Sequence, residues 1–310
     1  MKNNLSKICI TASIAIGLGI ATTSTAQAGT ITGVTVGGTA ASDYLVYGTN
    51  GNNTVIVPNS INNVNTALIG NSSSPGGNVE LRAGSEQAGF DFTKNTTLTG
   101  QIGGQQITLS SLTASDWLTS NYKNSGLTFG QFWFNSALTA NGFGGLVGTP
   151  ISAGFFNAFK NNGGFQRFSD PNISYVNQND TTGEIKIGLA GHLNATPMLL
   201  PYLDSYINSL PNSLTKAQLL GFKQIFANTP TQASEIVKYT YNGTTDYLFS
   251  FTGTNSGLVS NDGTNSHNAN FEVSLAGVPP ARTPEPSMIL GLVGVIGAFK
   301  AQQKLKKSAS

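Results

Sequence analysis

The sequence predicts an α+β fold, mostly antiparallel β-sheet with a helical layer or insertion at about residues 113–160 and 197–228. Three observations predict it. Short runs rich in β-branched and aromatic residues alternate with Gly and Asn turns over the first third of the chain. Two later stretches instead repeat large apolar residues three and four apart, the period of a helix with one buried face. Finally, only 10% of the 310 residues are charged while 37 are glycine. Such a surface is solvated by amides and hydroxyls and is rich in turn positions.

Taken in order, Ile31 to Val36, Tyr44 to Tyr47, Thr54 to Val57, Val79 to Leu81 and Ile107 to Leu109 read as strands. Asn50-Gly51 is a hairpin turn signal between the second and third. Asn59 to Gly77 reads as a Ser/Asn/Gly-rich loop. Ser115, followed by Asp116, Trp117 and Leu118, reads as a helix N-cap, and Phe129, Phe132, Trp133, Ala137 and Leu138 continue with helical spacing to Asn141-Gly142. A further helix is expected over Ile151 to Phe159, with Phe155, Phe156 and Phe159 as its buried stripe. Ile173 to Val176 and Glu184 to Leu189 flank a turn at Asn179 to Gly183. Leu199, Leu203, Tyr206, Ile207 and Leu210 form one helical stripe and Leu219, Phe222 and Phe226 another, separated by Pro211. Glu235 to Tyr241 and Tyr247 to Thr252 form a hairpin about Asn242-Gly243, and Phe271 to Leu275 the last strand.

Charge excludes one broad class of partner. Between Gly29 and Arg282 stand ten basic and thirteen acidic residues, a net charge near −3. The basic ones are scattered singly, so nucleic acid is not expected as a partner. The only cysteine, Cys9, precedes this region. No thiolate site or disulfide is therefore expected in the body.

Catalytic motifs are likewise missing. There is no Gly-x-Ser-x-Gly, His-Glu-x-x-His, Walker-type or Gly-x-Gly-x-x-Gly pattern. A metal centre on the two histidines, His192 and His267, requires distant loops to meet. Asp180 with Glu184, and Asp262 within Ser260 to Asn265, are acidic turns that could bind calcium weakly, although Asx-turns are the commoner use of such residues. No other cofactor is expected. Arg167 and Asp170, three apart, suit a local ion pair.

The ends carry the sharpest patterns. Lys2 and Lys7 precede an apolar run from Ile8 to Ile20, and Ala26-Gln27-Ala28 is a small-x-small site. This is the layout of a cleavable secretory signal over residues 1–28, with signal peptidase and the export machinery as partners and Gly29 as the new first residue. A body over 29–278 then passes into a Pro-rich linker, 279–287, containing Pro284, Glu285, Pro286 and Ser287. An apolar segment with Gly291, Gly294 and Gly297 follows, then Lys300, Lys304, Lys306 and Lys307, completing 288–310. The prolines keep the linker extended, the apolar run inserts, and the lysines hold its end at the cytoplasmic face. The run from Met288 to Phe299 is shorter than the roughly 20 apolar residues of a stable span, which suits a transient anchor.

The Pro284-Glu285-Pro286 motif, apolar segment and basic tail resemble the PEP-CTERM sorting signal of Gram-negative surface proteins, with lysines where that family often has arginine. The resemblance covers residues 283–307 and implies an exosortase-type membrane protease as processing partner. The run Gly163 to Tyr175, continuing to Gly188-Leu-Ala-Gly-His192, is similar to PEP-CTERM proteins of unassigned function. The expectation is an exported, transiently membrane-anchored protein, then delivered to the cell surface or extracellular matrix, with a non-catalytic body. Two alternatives stand beside it. One is a glycan-binding module using Trp117 or Trp133, with exopolysaccharide as partner. The other is a secreted hydrolase built on paired carboxylates.

Overall fold

Alternation of apolar and polar residues builds two sheets whose apolar faces close on each other. The computed structural model describes residues 29–280 except 263. The segments expected as leader, 1–28, and as sorting signal, from 281 onward, lie outside the described residues. The elements run β1 (Gly29–Thr30), β2 (Thr32–Gly37), β3 (Tyr44–Asn50), β4 (Asn53–Val57), α1 (Ile61–Ala67), β5 (Gly77–Leu81), β6 (Thr97–Ile102) and β7 (Gln105–Ser110). Helices α2 (Ala114–Trp117), α3 (Phe129–Ala140) and α4 (Pro150–Asn161) follow, then β8 (Asn172–Gln178) and β9 (Ile185–Gly191). After α5 (Thr196–Ser209) and α6 (Leu214–Ala227) come β10 (Val237–Tyr241), β11 (Thr244–Leu248), β12 (Thr254–Asn255), β13 (Val259–Ser260) and β14 (Ala269–Leu275). The fold is α+β, as the sequence predicts.

The larger sheet has nine strands in the order β12-β14-β9-β8-β5-β3-β4-β13, with β1 added on β8. The smaller has five, β11-β10-β7-β6-β2. Every pairing is antiparallel except β13 with β4. Val46, Val79, Ile173, Leu189 and Phe271 from the first sheet meet Leu98, Ile107, Leu109 and Val237 from the second, all of them fully buried. Each such side chain contributes about 1.5–3 kcal/mol of burial. The helices α2 to α6 enclose a separate aromatic core at the end of the sandwich where β8 and β10 begin. Backbone bonds stitch the two together, from Leu112 N–H to Ser169 C=O and from Ile236 N–H to Phe168 C=O.

Several elements depart from the sequence reading. Within the expected loop at 59–77 lies helix α1, because Ser60 caps it through the Asn63 amide and Val64, Ala67 and Leu68 reach the core. The helix cap is Thr113 rather than Ser115. Asp116 returns bonds to the Thr113 amide and hydroxyl at 2.8 Å, and α2 stops after one turn. Strand β6 was not foreseen. It pairs in register with β7 across the Gly103-Gly104 turn.

One residue joins the two ends of the described body. Gln178, at the end of β8, pairs with Gly29 of β1, and its amide nitrogen donates to the Val278 carbonyl at 2.8 Å.

Candidate functional site

The outward face of the larger sheet is polar because its inward residues are spent on the core. In β5, Val79 and Leu81 point inward, so Asn78 and Glu80 point outward. Neighbouring β3 sets Tyr47 opposite Asn78, and the Tyr47 hydroxyl donates to Glu80 at 3.0 Å. On the other side, β8 places Asn172 opposite Glu80. Glu235, just ahead of β10, accepts the Asn172 backbone N–H at 2.8 Å and its side-chain amide at 3.1 Å. Asp170, just ahead of β8, accepts a short hydrogen bond from the Ser85 hydroxyl.

Three carboxyls thus gather where the sandwich meets the helical layer. Asp170 is buried, whereas Glu80 and Glu235 are half-buried. Burial is the first cause of a raised pKa in each; neighbouring carboxylates add to it, Glu86, Asp43 and Asp262 at Glu80, Glu80 and Glu86 at Asp170, and Asp170 and Glu80 at Glu235. Glu80 is pushed up to about 7, with the Tyr47 hydrogen bond opposing. Asp170 and Glu235 are held well above the usual carboxylate range. Among the described residues no lysine or arginine pairs with any of the three. Arg82, only two residues from Glu80, turns away to Asp43 and the Asp91 carbonyl and stacks on Phe90 at 4.2 Å. In doing so it pins the loop that carries Ser85. Several buried polar atoms have no partner: Asp170 Oδ1, Asn172 Oδ1 and both amide atoms of Asn78.

Ser85 is also part of the wall of a surface groove of about 360 Å³ that Glu86, Gln87, Phe90, Asn162, Arg167 and Tyr202 line. Arg167 crosses it to Glu86 at 2.7 Å. The expected local pair of Arg167 with Asp170 does not form. The turn Gln166–Phe168 carries Arg167 outward while Asp170 faces Ser85.

No family model, curated protein or solved structure matches this chain.

The tryptophans expected as ligand contacts are corrected by their burial. Trp117 is 1% exposed and Trp133 2% exposed. Trp117 stacks on Phe165 with centroids 4.2 Å apart, meets Trp133 edge-on at 5.5 Å, and donates its indole N–H to Ser169 at 2.7 Å. The helical layer needs both rings to fill its core, so neither is offered to a glycan. The apolar crevice beside Trp133, about 40 Å³, has core aromatics on its walls and no ionisable group.

His267 is buried on the outward face, its Nδ1 2.6 Å from the Thr54 hydroxyl and its ring edge-on to Tyr47 at 4.6 Å. His192, just after β9, is half-buried; burial and then Arg167 lower its pKa. Asp180 accepts the Gly29 N–H at 3.3 Å. Asp262 accepts from the Ser260 and Thr264 hydroxyls and the Thr264 amide within its own turn. Among the described residues no three His, Cys, Asp or Glu side chains converge as a metal cage. Ala26, Ala28, Pro284 to Ser287, and the glycines and lysines of the tail lie outside the described residues. Among those described, no helix is long and apolar enough to cross a membrane.

The sequence reading missed Glu80, Ser85, Asn172 and Glu235. The available signal was Asp170-Pro171-Asn172, two polar residues straddling a proline immediately before an apolar strand. It marks a polar strand entry but not its partners.

Proposed function

We propose that this chain is an exported cell-surface or matrix protein whose body holds a polyhydroxylated ligand, a glycan chain such as an exopolysaccharide, in the groove between Glu86 and Tyr202. The groove carries the reading. Its walls combine the amides of Gln87, Gln166 and Asn162, the Arg167–Glu86 ion pair and two rings, Phe90 and Tyr202, within about 360 Å³. Amides and a fixed ion pair supply paired donors and acceptors for hydroxyls, and ring faces cover the apolar side of a sugar. The terminal patterns support export, and the sparsely charged, cysteine-free body suits it. Trp117 and Trp133 have no part in this site.

Binding of the full-length protein to exopolysaccharide from the producing cells, and to a broad glycan array, is the test. Arg167→Ala is expected to weaken binding at least 10-fold, as loss of a charge-assisted contact does. Its effect on stability is expected to stay within about 1 kcal/mol, since the ion pair is solvent-exposed. Absence of binding by the wild type, or unchanged binding by Arg167→Ala, refutes the reading.

A further inference from the structure

We propose that Asp170 and Glu235, with the side-chain oxygens of Asn172 and Ser85, form a binding site for a hard divalent cation of the calcium class. The site adjoins the groove, with Ser85 in the wall between them, but the inference does not depend on what the groove binds. The site differs in place from the acidic turns at Asp180 and Asp262.

Two independent observations carry it. The first is the cluster. Asp170 is 5% exposed, Glu235 is bonded to Asn172 two residues further along, and among the described residues no lysine or arginine is paired with either acid. Uncompensated carboxylates in such a place are strongly disfavoured unless a proton or a positive ion joins them. The second is a neutral side chain. Asn172, itself 5% exposed, leaves its Oδ1 without a partner while its Nδ2 touches Glu235. An amide oxygen two residues from Asp170, on a side chain that touches Glu235, is thus left unused. Asp170 Oδ1 is unused as well. Every group on offer is an oxygen, the donor set of a hard ion, and calcium accepts an irregular mixture of carboxylate, amide and hydroxyl oxygens more readily than magnesium. Among the described residues the carboxyls alone do not form a metal cage, so the two acids are completed by these neutral oxygens.

The test uses the full-length protein at pH 7.5, stripped with EDTA and titrated with calcium chloride or magnesium chloride. Thermal melts and isothermal titration calorimetry are the readouts. Asp170→Asn and Glu235→Gln keep the shape of each side chain while removing a charge. Wild type is expected to take up one calcium per chain and to gain roughly 5 °C or more in Tm at saturation, with a smaller response to magnesium. Both variants are expected to lose the calcium response and, in EDTA, to melt at or above wild type, because an unneutralised charge has gone. An unchanged wild-type Tm with no heat of binding up to about 10 mM calcium, beyond the range of extracellular sites, overturns the site. So do variants that respond to calcium as wild type does, which would place the ion elsewhere. Should either variant fail to fold, Ser85→Ala, which removes one donor oxygen, is expected to weaken calcium binding several-fold, and unchanged affinity there counts against the site.

Discussion

His267 packs edge-on to Tyr47, with Thr54 at its Nδ1, and is 3% exposed. Burial pushes its pKa down to about 4, with Asp262 opposing and His192 reinforcing. An unfolded histidine titrates near 6.5. Between those values the unfolded chain binds a proton that the folded one refuses. The stability tied to His267 is therefore complete above about pH 6.5 and is lost as pH falls through 4, by about 3 kcal/mol in all. Glu80, whose pKa is raised, contributes the opposite slope. The difference between wild type and His267→Asn isolates the imidazole. Urea unfolding at pH 7.5 and at pH 4.5 is expected to show the variant losing less stability than wild type on acidification. Equal losses would contradict this account of His267. At the same scale, Trp117→Ala is expected to lose about 3–5 kcal/mol, the usual result of emptying a buried aromatic position. A variant as stable as wild type would return Trp117 to the surface.

Helices α4 and α5 pack through a glycine. A Cβ at Gly154 would overlap the Tyr206 ring, whereas a Cβ at Gly221 on α6 meets nothing within 4 Å. Gly154→Ala is therefore expected to lose about 1–3 kcal/mol by overpacking. Gly221→Ala is expected to gain up to about 1 kcal/mol from helix propensity and a stiffer unfolded chain. Paired melts of the two variants check the contrast, and a loss at Gly221 as large as that at Gly154 would reject it.

The same scale explains what the sequence disclosed. Asn242 and Gly243 adopt φ of 48° and 75° between β10 and β11, so the turn residues announced the turn, while the second strand runs Thr244–Leu248, starting directly after the turn rather than at Tyr247 and ending before Thr252. Strand β6 stayed hidden because Gly100 breaks its apolar alternation. The gap exists because Ile31 and the Thr32 carbonyl occupy the space of a side chain there. Helix α1 was masked by its asparagines, although Ser60 and the spacing of Val64, Ala67 and Leu68 were visible. The carboxyl cluster was beyond reach for a different reason. Glu80, Asp170 and Glu235 are far apart along the chain and meet only through the β5–β8 pairing and the bond from Ile236 to Phe168. Nothing local to any of them encodes that meeting.

For the whole molecule, the reading as an exported and processed protein makes a mass prediction. Protein recovered from envelope and medium is expected to begin at Gly29 and to end near Glu285. A membrane-bound chain still ending at Ser310 would leave the tail as an anchor alone. In the processed form the new ammonium of Gly29 would lie beside Asp180, which already accepts that nitrogen at 3.3 Å. Asp180→Asn is expected to cost the processed form about 1 kcal/mol, since a partly buried pair at the surface is weak.

Gln178 ties Gly29 and Val278 at one end of β8, and Asn172 opens the carboxyl cluster at the other. At about 3.3 Å per residue, the strand keeps these ends some 20 Å apart. Under the proposed anchoring, then, the body hangs by one corner like a lantern, with its groove on the far side from the leash. Lengthening or shortening the linker at 279–287 should alter how far the groove reaches and leave its orientation open to the surroundings unchanged.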